Sequence, residues 1–122
     1  MHAIVLFAHG SRDPLWHQPI QAVAQRIATR SPHTSVRCAY LELTEPDLPT
    51  VAAELATAGA TSLCVVPMFL GVGRHAREDL PQLMAQIQVA HPHLHISCLK
   101  AVGEQDALLD LMAEIAINSA KA

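Results

Sequence analysis

Eight histidines among 122 residues, against two phenylalanines, one tyrosine and one tryptophan, make imidazole the functional group this chain holds in surplus. Neutral imidazole is the commonest protein ligand for borderline divalent metals, and it accepts protons near neutral pH. Two histidines stand where both properties could be used. His9 follows the apolar run Ala3 to Ala8 and opens His9-Gly10-Ser11-Arg12-Asp13. His75 sits in Gly73-Arg74-His75-Ala76-Arg77, just after the apolar run Leu63 to Leu70. Glu42 follows a third run, Val36 to Leu41, and adds a carboxylate. Two imidazoles and a carboxylate on three loops leave coordination positions open, as the handling of a divalent ion requires. Arg12, Arg74 and Arg77 carry the planar fork that binds carboxylates or phosphates through paired hydrogen bonds. Met68, Phe69, Leu70 and Val72 would line an apolar wall beside them.

Other chemistries fit less well. His91, His93 and His95 form a metal-like tract, but they precede a strand and so belong at the far end of any sheet, as a surface loop. Ser11 stands two residues from His9 without a G-x-S-x-G elbow, which argues against a serine nucleophile. Gly71-Val72-Gly73 falls short of a dinucleotide fingerprint, and no G-x-x-x-x-G-K-[ST] run occurs, so no ATP site is expected. A phosphohistidine at His9 would want an arginine directly before it, where Ala8 stands. Cys38, Cys64 and Cys98 lie in apolar runs without C-x-x-C spacing and are expected as buried, reduced thiols.

The elements that must position these groups follow from periodicity. Ala3–Ala8 and Leu63–Leu70 lack polar alternation and predict strands covered on both faces, hence central. Val36–Leu41, interrupted by Arg37, and Leu94–Leu99, which alternates, predict edge strands. Ile20, Val23, Ala24 and Ile27 recur at i, i+3, i+4 and i+7, a helical stripe that ends at Ser31-Pro32. Asp13-Pro14 could cap an earlier turn, which Pro19 leaves either joined to that helix or separate. Asp47 caps a second helix, with Leu48, Val51, Ala52 and Leu55 inward and Gly59 as its stop. A third helix is predicted from about Pro81, after a turn for which Gly71 and Gly73 supply the freedom. A fourth follows Gly103, with Leu108, Leu109, Leu111, Met112 and Ile115 as its apolar side.

The order β-α-β-α-β-α-β-α calls for an α/β domain spanning residues 1–122, with three layers and a four-stranded parallel sheet in the order 2-1-3-4. Winding then reverses between strands 1 and 3, and ligands bind outside the strand C-termini at such a switch point. His9 and His75 leave those two strands there, so they are expected to face one another across a single crevice, with Glu42 alongside. A net charge of −3 leaves no nucleic-acid footprint. The N-terminal apolar stretch lacks a basic lead-in and is too short for a signal or a membrane span, so a soluble, cytoplasmic protein is expected.

Ala8-His9-Gly10-Ser11-Arg12-Asp13-Pro14, Leu41-Glu42, Val66-Pro67-Met68-Phe69-Leu70, Gly73-Arg74-His75 and Asp79-Leu80-Pro81 together resemble the small, single-domain sirohydrochlorin cobaltochelatases, class II tetrapyrrole chelatases that work without ATP. The resemblance implies the chelatase-like fold, half of a flavodoxin-like pair. It also implies insertion of Co²⁺, or Fe²⁺ or Ni²⁺, into sirohydrochlorin on a route to cobalamin or sirohaem, with no cofactor beyond the substrate metal. By the family pattern His9 and His75 are the catalytic and metal-binding pair, and Glu42 matches an acidic residue implicated in metal binding. Ser11, Arg12, Met68, Phe69, Leu70, Gly73, Arg74 and Arg77 would then contact the tetrapyrrole, whose acid arms give the arginines a purpose. Larger members carry two such domains, so the resemblance further implies a homodimer closing the cleft between two copies. A non-enzymatic metal carrier using the same histidines is the competing reading; neither reading calls for nucleic acid or a membrane.

Overall fold

The two runs without a polar break pair with each other at the centre of a parallel sheet. The computed structural model describes residues 1–121. Its strands are β1 (His2–Ala8), β2 (Ser35–Tyr40), β3 (Ser62–Pro67) and β4 (His95–Cys98), in the spatial order β2-β1-β3-β4. The helices are α1 (Gln18–Arg30), α2 (Leu48–Thr57), α3 (Arg74–Ala90) and α4 (Asp106–Asn118). All three strand pairings are parallel, with Leu6 opposite Cys38 and Val66 and with Val65 opposite Cys98.

Alternation splits the strands between two apolar layers. On one face Leu6, Ala8 and Tyr40 pack under Ile20 of α1, with Val23, Ala24 and Ile27 completing the expected stripe. On the other, Val5, Phe7, Leu63 and Val65 pack against Leu48, Val51, Ala52 and Leu55 of α2 and against Ala76 and Ile87 of α3. The Asp47 carboxylate accepts from the Thr50 amide at 2.9 Å and caps α2.

Three expectations change, and one open alternative is decided. Pro14–His17 forms a separate 3-10 turn before α1, because Asp13 caps it and Pro19 sits at the start of α1 proper. Helix α3 begins at Arg74, seven residues earlier than expected, and carries Pro81 inside it. A proline interior to a helix forfeits one backbone bond without ending it when packing on both sides holds, and here Leu80, Leu83 and Met84 are packed against the core around it. Gly73 caps α3 at φ −66°, and a Cβ at Gly71 or Gly73 would meet nothing, so that turn does not require glycine. The thiols are free, but Cys98 is exposed on the edge strand, and Cys38 and Cys64 are only half-buried. The half-burial of Cys64 and Val66 has a cause: α1 covers the β2–β1 side of that face, and no residue of α4 joins either apolar layer.

Among the described residues no helix is long and apolar enough to cross a membrane.

Candidate functional site

The β1–β2 ladder runs on past the strands and fixes the main chain of His9. Leu41 donates its amide to the Ala8 carbonyl at 2.8 Å, and Glu42 donates to the His9 carbonyl at 2.9 Å. Gly10 adopts φ +99°, and a Cβ there would run into the Glu42 carbonyl oxygen, so the close approach of these two loops depends on glycine. Glu42 therefore starts one strand spacing from His9, joined to it by a backbone hydrogen bond. Both side chains are exposed.

Beyond Gly10 the loop folds back on itself. Ser11 Oγ accepts from the Asp13 amide at 3.0 Å, and Asp13 Oδ1 accepts from the Leu15 amide at 3.0 Å. His17 Nε2 lies 2.7 Å from the Ser11 carbonyl oxygen. A carbonyl only accepts, so this nitrogen carries the proton. The His17 ring is wedged edge-on between Trp16, 5.1 Å away, and Tyr40, 4.9 Å away. Sequence reasoning missed His17, because no spacing marks it and its aromatic neighbours meet only in the folded chain. Burial of Tyr40 pushes its phenol up, and the adjoining Cys38 adds to that.

The His9 ring lies against Phe69, with centroids 4.4 Å apart and planes tilted by 45°. Phe69 in turn meets Phe7 edge-on at 6.0 Å and is buried. One aromatic side chain thus joins the end of β3 to the residue after β1, a direct link between the two strands at the switch point.

His75 stands on the first turn of α3, and its Nε2 is 2.9 Å from Asp79 Oδ2, one helical turn on. A carboxylate that takes the proton of one ring nitrogen fixes the tautomer and leaves Nδ1 with its lone pair free, the arrangement usual behind metal-binding histidines. The ring stays 68% exposed, as a ligand for an incoming ion must. His75 and Asp79 share a cleft of about 330 Å³ with Leu41 and Leu83, and Leu41 is the neighbour of Glu42. Sequence reading placed Asp79 in the polar loop without this role; the i,i+4 spacing that reveals it appears once α3 is known to begin at Arg74.

The other candidates divide. Arg12 is exposed beside His9's loop. Arg74 is tied to Glu78 at 2.9 Å along its own helix. Arg77 points to the other flank of α3 from His75, into a second cavity with Phe69 and Val72. Met68 packs into the α1 layer, and Leu70 is exposed. His91 and His95 flank the turn at the opposite end of the sheet, where α3 ends and β4 begins. Burial pushes the Cys38 thiol up, and the partial shielding of the Cys98 sulfur on its otherwise exposed edge strand, with Cys64 beside it, does the same there; a thiol held protonated is a poor metal ligand. Among the described residues no three His, Cys, Asp or Glu side chains form a ready-made metal cluster. His9, Glu42 and His75 follow the C-terminal ends of β1, β2 and β3 as separate donors, and the cleft that holds His75 is lined by neither His9 nor Glu42.

Comparison with known proteins gives one consistent family. The CbiX family model matches residues 3–118. The sirohydrochlorin cobaltochelatase of Methanococcus aeolicus is 33% identical over 88 residues, which is 72% of this chain and 62% of that protein. The protein of the same name from Methanococcoides burtonii is 28% identical over 94% of both chains. Among solved structures, a cobalamin (vitamin B12) biosynthesis CbiX protein of Marinobacter aquaeolei superposes with a TM-score of 0.85 at 28% identity, covering 99% of this chain and 98% of the other. The sirohydrochlorin chelatase SirB of Bacillus subtilis, solved with cobalt, gives a TM-score of 0.73 at 30% identity over 94% of this chain and 51% of SirB. The match to M. aeolicus thus spans about three fifths of that relative, and the match to SirB about half of it.

Proposed function

The chain belongs to the CbiX family, and on that premise we propose that it is a sirohydrochlorin chelatase, a lyase-type enzyme that inserts Co²⁺ into sirohydrochlorin without ATP. Fe²⁺ and Ni²⁺ are the alternative substrates. The observation that carries the reading is the placement of His9 directly after β1 and of His75 on the first turn of α3, the helix that follows β3, with Glu42 bonded through its backbone to His9.

Insertion exchanges two pyrrole N–H protons for one divalent ion. The ion must shed water, and the two protons must be taken up as the four nitrogens close on the metal. In this reading His9 and His75 hold the ion, each through a neutral ring nitrogen. As the metal passes to the macrocycle, the freed imidazoles accept the two protons. Asp79 keeps His75 in the tautomer with Nδ1 open, and Glu42 offsets the ion's charge. The macrocycle's acid arms meet Arg12 and Arg77, and Ser11, Phe69, Leu70 and Gly73 border its position, with Met68 behind them in the α1 layer. Arg74 joins only by releasing Glu78. The metals differ too little in affinity for such a site to choose among them, so supply decides.

We assign the activity to a cytoplasmic homodimer. Helix α4 supports the second copy: Leu108, Leu111, Met112 and Ile115 lie at i, i+3, i+4 and i+7, yet none is buried. Leu108 and Met112 are only half-buried, and Leu111 and Ile115 are exposed, so the stripe is incompletely covered within one chain.

The test is anaerobic incubation of the protein with sirohydrochlorin and Co²⁺, Fe²⁺ or Ni²⁺, followed by visible spectroscopy. Metallation is expected to outpace the protein-free reaction, and His9→Ala and His75→Ala are each expected to lose at least tenfold in rate. Wild-type rates in both variants would overturn the residue roles. Tight stoichiometric cobalt binding without turnover would instead favour a metal carrier.

A further inference from the structure

A second cavity, of about 370 Å³, lies between α3 and the segment after β4, on the flank of α3 that His75 does not occupy. Phe69, Leu80 and Met84 make its walls apolar, and Arg77, Lys100 and Glu104 stand at it as its charged groups. Phe69 is the side chain that also meets the His9 ring at 4.4 Å, so a single aromatic ring separates this cavity from the proposed metal-handling imidazole. Its far wall is built in advance. Gly103 donates its amide to the Phe69 carbonyl at 2.9 Å and presses on the Leu70 backbone where no Cβ would fit. The Gln105 side chain donates to the Lys100 carbonyl at 3.1 Å, which pins the chain that carries the ammonium. Among the described residues neither Arg77 nor Lys100 enters an ion pair, whereas Arg74 and Arg37 each do.

We propose that this cavity is a specificity pocket for one aliphatic carboxylate arm of the tetrapyrrole, with the methylene stem between Phe69 and Leu80 and the carboxylate between Arg77 and Lys100. The assignment rests on the chelatase reading. Apolar walls under two unpaired cations complement a short alkyl carboxylate. Glu104 lowers the local charge to a single net positive, which matches one carboxylate and disfavours a phosphate or a second acid. Lys100 is the residue that this adds, since sequence alone does not relate it to the arginines of α3.

The experiment measures two quantities on wild type, Lys100→Met, Arg77→Met and Lys100→Arg: KM and kcat for Co²⁺ insertion, and the Kd of metal-free sirohydrochlorin from fluorescence titration. Each methionine variant is expected to raise KM and Kd about tenfold, the worth of one charge-assisted hydrogen bond. The effect should sit in KM more than in kcat, and Lys100→Arg should recover most of it. Wild-type KM and Kd in both methionine variants, with unchanged thermal melting, would overturn the pocket. If wild type binds sirohydrochlorin but never metallates it, the chelatase reading falls, and the pocket is then judged on Kd alone. If wild type does not bind it, both fall.

Discussion

At the scale of single residues, the His75–Asp79 pair separates a catalytic role from a structural one. The pair is exposed on both sides, and an exposed ion pair or hydrogen bond contributes about 0–1 kcal/mol to stability. Loss of a carboxylate that orients a metal-binding histidine, by contrast, costs about 10–100-fold in metal affinity or activity. Asp79→Ala is therefore expected to leave thermal melting within a degree or two of wild type while lowering Co²⁺ insertion by at least tenfold, with Asp79→Asn between the two. Equal activity in Asp79→Ala would mean that the 2.9 Å contact has no part in setting the His75 tautomer. The His9 loop is held differently. Its carbonyl is fixed by the Glu42 amide and its turn by Gly10, with His17 closing it from behind. His9 is thus positioned through backbone and Phe69 contacts, and His75 through a side-chain carboxylate.

At the scale of elements, α2 offers a clean measure of how local sequence signals carry over. Asp47 accepts hydrogen bonds from Thr50, and these hold its carboxyl below the ordinary carboxylate range. A depressed folded-state pKa stabilises the fold above the unfolded value, and that contribution disappears as pH falls through the folded pKa. Asp47→Ala is expected to cost about 1 kcal/mol at neutral pH, the usual worth of an N-cap. In urea titrations the gap between variant and wild type should narrow steadily below the normal aspartate range; a gap constant down to strongly acidic pH would exclude the cap. The cap, the stripe beyond it and the order of the four strands were all legible from the sequence, because each rests on neighbours in the chain or on unbroken apolar runs. The start of α3 was not. Pro81 reads as a helix beginning in isolation, and only packing on both sides of it lets α3 run from Arg74 through Ala90. That one displacement concealed the i,i+4 relation of His75 to Asp79. It also concealed the division of α3 into a His75 flank and an Arg77 flank. The link of Phe69 to His9 and the seat of His17 against Tyr40 were equally out of reach, since both depend on side chains brought together from segments distant in the chain.

At the scale of the whole molecule, the unequal covering of the sheet decides what the chain needs from outside itself. One face is closed by α2 and α3; the other is closed by α1 over β2 and β1 and remains partly open over Cys64 and Val66. Helix α4 leaves Leu111 50% and Ile115 63% exposed, while Asp106, Asp110 and Glu114 recur every fourth residue on its opposite side, where the exposed Ile117 also falls. A helix with one acidic and one apolar side is built to bury the latter, and contiguous apolar surface of this kind marks an interaction site. In the proposed homodimer a second copy would supply both the missing sheet cover and the helix seat, by two-fold exchange. Light scattering across the concentration range of the activity assay is expected to show a dimer for wild type and a monomer for Leu111→Glu/Ile115→Glu. The double variant should keep its far-ultraviolet circular dichroism, because the residues it changes are not part of the core. Its rate of Co²⁺ insertion should fall in proportion to the dimer lost if the tetrapyrrole cleft closes between two copies. A monomeric wild type with full activity would show instead that one chain completes the site, and that the apolar side of α4 serves some other surface.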